Sequence, residues 1–172
     1  MKFMSFIVIV GAALVLSGCA GMQPVAEADR TFDRIVEVPG HSRDQIYSST
    51  KIWIAENFKS AKSVIELDSK EDGMIIGNGI IQYPCSRMDC LAKSDWTVPF
   101  TMRVDMKDQK LRISFSNIKL SWPATYNSGI SSPAYDGPVN SQGDMNLIKP
   151  ALLKFGDEML ASINSNKINS NW

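Results

Sequence analysis

The side chains that could do chemistry in this 172-residue chain are few: the cysteines Cys19, Cys85 and Cys90, and one histidine, His41. Cysteine and histidine are the usual zinc ligands, and both also serve in nucleophilic catalysis. The chain has no Cys-x-x-Cys spacing, and a single histidine leaves a metal site short of ligands. We therefore expect neither a bound metal nor a cofactor.

Cys19 follows a segment typical of a secretion signal. Lys2 carries a positive charge, and residues 6–16 form an apolar run that is too short to span about 30 Å of hydrocarbon. The sequence Leu16-Ser17-Gly18-Cys19 resembles a lipobox, which implies cleavage before Cys19 and acylation of that cysteine. Because Ala20 stands where Asp would signal inner-membrane retention, the resemblance favours the outer membrane, facing the periplasm. An ordinary secretion signal or a membrane helix with an incidental cysteine is the alternative.

Cys85 and Cys90 have four residues between them, in the segment Tyr83-Pro-Cys-Ser-Arg-Met-Asp-Cys-Leu. An exported protein folds in an oxidising compartment, where such a pair can close a small surface loop. We expect a disulfide. A metal site and a redox-active pair are the alternatives, although the redox pair would need a helix N-terminus or nearby positive charge.

The residues of an enzyme active site are hard to find in this chain. A serine or cysteine nucleophile would have to use His41 as its base, and His41 stands at the expected start of a helix, where it would cap the helix or face solvent. Pairs of carboxylates such as Asp68 and Glu71, or Asp105 and Asp108, occur beside expected turns, where charged residues are normally solvated. We therefore expect a protein that is not an enzyme.

Apolar periodicity predicts the elements of the domain. Residues 32–38, 64–68, 74–83 and 111–115 are typical of strands, and the strict alternation from Trp96 to Met106 indicates a strand with one buried face. Ser42 and Gln45 have the spacing of a capping box ahead of an amphipathic helix. A second helix is expected over about 144–163, with Pro150 in its first turn or at its true start.

This order predicts an α+β fold: a curved antiparallel sheet of about five strands, β-α-β-β-β-β-α, with two helices packed on one face. We expect a signal peptide over 1–18, a lipidated N-terminus and tether over 19–30, one domain over 31–165, and a frayed C-terminus over 166–172. The segments Ser42-Arg-Asp-Gln-Ile-Tyr, Lys51-Ile-Trp-Ile-Ala-Glu-Asn-Phe and Gly73-Met-Ile-Ile-Gly-Asn-Gly resemble the DUF4468 family of exported bacterial proteins. That resemblance implies a TATA-box-binding-protein-like fold over most of 32–120 and supplies no catalytic residues.

A long connection from Ser121 to about Gln142 holds Trp122, Tyr126 and Tyr135 among Pro, Gly and Ser. Loops of this length are uncommon unless they bind something, cover an apolar surface or are disordered. The three aromatic residues are thus candidates for a binding loop, and packing over a sheet edge is the alternative.

Two functions remain open. With 18 basic and 18 acidic residues, the chain has no charge excess that would favour nucleic acid. We favour a lipid-anchored envelope protein that binds another envelope protein through its aromatic loop or the open face of its sheet. The alternative is a module that binds a lipid or peptide in an apolar cavity between the sheet and the C-terminal helix.

Overall fold

The computed structural model describes residues 24–58, 64–86, 88–127 and 129–169, and Cys19 lies outside them. The elements of these residues follow a short 3-10 turn at Glu27–Arg30 and are, in chain order, β1 Phe32–Glu37, α1 Arg43–Asn57, β2 Val64–Ser69, β3 Met74–Gln82, α2 Asp89–Ala92, β4 Thr97–Lys107, β5 Lys110–Ser116, β6 Lys119–Trp122, β7 Thr125–Asn127, β8 Ile130–Ser132, β9 Tyr135–Pro138, α3 Gln142–Leu153 and α4 Phe155–Asn169.

The main sheet is antiparallel, with strand order β1-β5-β4-β3-β2. β6 extends it by pairing with the start of β4, and β9 pairs with β6, so the sheet has seven strands. β7 and β8 form a separate hairpin. The predicted α+β class is confirmed. The sheet has two strands more than the expected five, β6 and β9, and β9 comes from the segment predicted to be a loop.

The helices cover one face of the sheet. β4 alternates as predicted, and its buried side chains are Val98, Phe100, Met102, Val104 and Met106. The ring centroid of Phe155, on α4, lies 6.0 Å from that of Phe100 and 5.2 Å from that of Trp53, on α1. Trp53 therefore belongs to the core between helices and sheet.

α1 begins at the capping box that the sequence predicts. The Ser42 side chain accepts a hydrogen bond from the Gln45 backbone, and the Gln45 side chain accepts one from the Ser42 backbone. One turn later, Tyr47 donates a hydrogen bond to Asp68 of β2, and Lys51 Nζ lies 2.6 Å from the same carboxylate. Lys51, and then Tyr47, lower the pKa of Asp68. α1 is thus tied to the outer strand of the sheet.

The predicted C-terminal helix is two helices, which break at Lys154. α3 begins at Gln142 because the Ser141 hydroxyl caps it, accepting from the Asp144 backbone at 3.4 Å. Pro150 therefore lies inside α3 rather than in its first turn. Proline removes one backbone donor from a helix, and four residues later the chain turns before α4 begins.

The domain begins earlier than the sequence suggests. Val25 is only 3% exposed and packs in the core, and its backbone N–H donates to the Asn140 carbonyl at 3.2 Å. Pro24 forms an isolated bridge with Ser141, and Arg30 donates to the Val25 carbonyl. Residues 24–30, expected as part of a tether, are therefore docked on the domain, and at the other end α4 continues to Asn169.

Candidate functional site

Four aromatic side chains form a row across one end of the sheet, on the side that the helices cover. Tyr83 follows β3, Trp96 precedes β4, Trp122 ends β6 and Tyr135 begins β9. The ring centroids are 5.5 Å apart from Tyr83 to Trp96, 4.2 Å from Trp96 to Trp122 and 4.4 Å from Trp122 to Tyr135. The last two pairs are stacked. We call these four residues the aromatic row.

Strand pairing builds the aromatic row. The Tyr83 backbone N–H donates to the Trp96 carbonyl at 3.0 Å, and Trp122 lies opposite Tyr135 in the β6–β9 pair. Because β6 lies between β4 and β9, the Trp122 ring is enclosed between Trp96 and Tyr135. Neither face of Trp122 is open for stacking with a ligand.

Polar contacts fix the Tyr83 end of the aromatic row to α3. Tyr83 is 2% exposed, and its hydroxyl donates to Asp144 Oδ1 at 2.6 Å. Lys93 Nζ lies 3.7 Å from the same carboxylate oxygen, 4.8 Å from the Tyr83 ring centroid and 4.9 Å from that of Trp96. Burial, and then the bond to Asp144, raise the pKa of Tyr83 far above its usual value. The phenol therefore stays protonated and donates the hydrogen bond that joins the end of β3 to α3.

The other end of the aromatic row is fixed to the β9–α3 connection. The Tyr135 hydroxyl donates to the Pro138 carbonyl at 2.7 Å and accepts from Asn140 Nδ2 at 3.1 Å. Its ring lies over Gly137, where an added Cβ would be 2.8 Å from the Tyr135 ring. Gly137 is therefore needed for this close approach.

The proposed binding loop is only partly assembled as the sequence suggests. The structure brings Trp122 and Tyr135 together, whereas Tyr126 lies apart on the β7–β8 hairpin and is 77% exposed. The connection is built from short strands, since β9 returns to pair with β6. Sequence reasoning missed Tyr83, Lys93 and Asp144, whose spacing along the chain gives no sign that they meet.

A disulfide joins Cys85 and Cys90, with 5.1 Å between their Cα atoms, as the sequence predicts. It lies beside the aromatic row, because the Cys85 backbone N–H donates to the Tyr83 carbonyl at 2.8 Å. The bond closes the turn that leads into α2, where the side chains of Met88 and Leu91 are each 77% exposed.

The face of the sheet opposite the helices forms a second candidate site. Asp105 of β4 accepts from Arg103 at 2.7 Å and from Arg112 of β5 at 3.0 Å. Arg103, and then Arg112, lower the pKa of Asp105. Ile35 lies opposite Arg112 in the β1–β5 pair and is 59% exposed, and Leu67, on β2, is 43% exposed. We call these five residues the open-face patch.

An apolar cavity of about 140 Å³ lies between the end of α1 and strands β2–β4. Phe58 and Phe100 line it together with Gly79, where an added Cβ would be 2.5 Å from the Phe100 ring. Gly79 thus provides space for a core aromatic ring. The core methionines Met102, Met106 and Met159 are all buried.

His41 is buried at the start of α1, where its Nδ1 donates to the Pro39 carbonyl at 3.2 Å. Within the described ranges, no three His, Cys, Asp or Glu side chains are grouped closely enough to hold a metal ion. Nor does any helix in that part of the chain have the length and apolar character needed to cross a membrane.

Comparison with known proteins establishes the family. Two crystal structures share the fold. A DUF4468 family protein from Bacteroides ovatus matches with a TM-score of 0.54 and 18% identity, over 84% of this chain and 90% of that one. A TBP-like protein from Parabacteroides distasonis matches with a TM-score of 0.53 and 17% identity, over 78% of this chain and 90% of that one. No curated protein matches in sequence. The domain of unknown function DUF4468, with its TBP-like fold, matches residues 32–121. The chain belongs to the DUF4468 family.

Proposed function

We propose that this protein is a non-catalytic interaction module of the cell envelope, anchored to a membrane by lipid on Cys19. The lipobox-like sequence ending at Cys19 supports the anchor, and Ala20 supports the outer membrane, facing the periplasm. Two or three acyl chains would hold the domain on a membrane essentially permanently, because each buried methylene contributes about 0.8 kcal/mol.

The observation that carries the interaction role is the open-face patch. Exposed apolar side chains at Ile35 and Leu67 flank a charged network that is already paired within itself. Interfaces of separate proteins mix apolar contacts with such polar groups. The occupant that fits is a folded envelope protein with a mixed polar and apolar surface.

The alternative function, binding of a small lipid or peptide, has weaker support. Ligand sites usually enclose roughly 300–1,000 Å³. The apolar cavity beside Phe58 and Phe100 has only about 140 Å³. The cavity is therefore better explained as imperfect core packing.

Site-specific photocrosslinking in intact cells tests the partner surface. A photoreactive residue replaces Ile35 on the open face or, as a matched control, Ile52 on α1, which is 46% exposed on the helix side. We expect one envelope protein to be captured from position 35 and not from position 52. The captured protein, once purified, should bind the wild-type domain directly and bind I35D at least tenfold more weakly, a loss of about 1.4 kcal/mol. Equal capture at both positions, or equal binding of I35D, refutes the proposed surface.

The anchor has its own test. Cells fed an alkyne analogue of palmitate should label the wild-type protein, and the label should be lost in C19A. Labelling that persists in C19A would place the lipid elsewhere and refute this anchor.

A further inference from the structure

The point where the N-terminal segment enters the domain lies beside the aromatic row. Val25 N–H donates to the Asn140 carbonyl, and the Asn140 side chain donates to the Tyr135 hydroxyl at 3.1 Å. Pro24 forms a β-bridge with Ser141, the N-cap residue of α3. Asp144, which accepts the hydrogen bond from Tyr83, lies in the first turn of the same helix. Any anchor that precedes Pro24 therefore pulls on this end of the domain.

The same end of the sheet exposes apolar side chains. Met88 and Leu91 lie in the connection from β3 to β4, which also holds Trp96, and Tyr126 lies on the hairpin that follows Trp122. Each of the three is 77% exposed, the highest value among the large apolar side chains of the described residues. We call Met88, Leu91 and Tyr126 the apolar end.

The chain between the expected lipid and the domain is short. Cys19 precedes Pro24 by five residues, and an extended chain spans at most about 3.6 Å per residue, so the two lie within roughly 18 Å of each other. A domain held this closely must turn some surface towards the lipid headgroups.

We propose that the apolar end rests on the bilayer surface, with Met88, Leu91 and Tyr126 in contact with the lipid; this inference rests on the proposed anchor at Cys19. Tyrosine suits this position because its ring is apolar and its hydroxyl can stay hydrated. The sheet then stands on its end, so that the open-face patch points sideways and stays accessible to a partner. Lys93 at this end of the sheet is paired with Asp144, so the proposed contact is made by the apolar side chains.

Hydrogen–deuterium exchange on vesicles tests the orientation. The chain from Cys19 onwards is coupled through the Cys19 thiol to a maleimide lipid in phosphatidylcholine vesicles. Cys85 and Cys90 are joined in a disulfide, which leaves Cys19 as the free thiol. Compared with the uncoupled protein, we expect exchange to slow about threefold or more in residues 88–92 and 125–127. The β4–β5 turn at 107–110, at the opposite end of the sheet, should be unchanged.

The matched variants are M88D/L91D and I35D, which all place Asp at exposed positions. M88D/L91D should lose the slowing on vesicles, whereas I35D should keep it, and near-ultraviolet circular dichroism should show that both variants are folded. No slowing at the apolar end, or slowing at 107–110, overturns the proposal. Chemical coupling makes the result independent of acylation in cells, so failure here is distinct from loss of palmitate labelling at Cys19.

Discussion

Removal of the Tyr83 hydroxyl should destabilise the junction between α3 and the sheet. Tyr83 is 2% exposed and donates to the Asp144 carboxylate at 2.6 Å. A hydrogen bond to a charged group contributes about 1.5–3 kcal/mol. We therefore expect Y83F to lower the free energy of unfolding by about that amount. For a domain of this size, the corresponding fall in Tm is roughly 3–12 °C.

D144A should lower the free energy of unfolding by more than the loss of the Tyr83–Asp144 hydrogen bond alone. It leaves the buried Tyr83 hydroxyl without its acceptor, which should destabilise the fold by about 1–3 kcal/mol. It also removes a carboxylate from the first turn of α3, where the helix dipole favours negative charge by about 0.3–1 kcal/mol. Because both variants remove the same bond, their effects should not add. The double variant should show a coupling energy of about 0.5–3 kcal/mol.

Urea unfolding followed by tryptophan fluorescence at neutral pH, under oxidising conditions, measures all three variants. Y126F provides the matched control, because Tyr126 is 77% exposed, and it should change stability by less than about 0.5 kcal/mol. If Y83F is no more destabilising than Y126F, or if the effects of Y83F and D144A are additive, Tyr83 and Asp144 do not join α3 to the sheet.

Three further outcomes are expected. Replacing both Cys85 and Cys90 by serine should lower the free energy of unfolding in urea by about 2 kcal/mol, because the unfolded chain loses the constraint of a closed six-residue loop. An unchanged free energy of unfolding would show that the disulfide does not constrain the unfolded chain. Folding lowers the pKa of Asp68, so its stabilising contribution is present above the unfolded pKa of about 4 and is lost as the pH falls through the folded pKa. D68N should therefore reduce the fall in the free energy of unfolding at acid pH. An equal fall in D68N and in the wild-type protein would contradict this. G79A should destabilise by about 1–3 kcal/mol, because its Cβ would overlap the Phe100 ring, and unchanged stability would argue against this packing.

Local patterns in the sequence predict the central part of the fold. The alternation along β4 is long enough to fix its buried face, and the Ser42 and Gln45 side chains form the predicted capping box. The Cys85–Cys90 pair is also predictable, because its geometry depends on only a few consecutive residues. In each case, the residues that determine the feature are close in sequence.

The features that sequence reasoning missed depend on distant residues. β6 and β9 have four residues each and no clear alternation, so their pairing arises from the sheet beside them. The contact between Tyr83 and Asp144 joins residues far apart in the chain, and Lys93 reaches both. Val25 is the one large aliphatic residue between Pro24 and Arg30, which is too little to predict that this segment docks.

The strand order has a consequence for the sequence of folding events. β2, β3, β4 and β5 pair with their neighbours along the chain, so each hairpin can form from local contacts, which close quickly. β1 instead needs β5, with Phe32 opposite Phe115. A chain synthesised from its N-terminus therefore carries β1 without a partner until β5 has emerged. During that interval Phe32 and Val36, both buried in the finished domain, are exposed to any other strand that can pair with them.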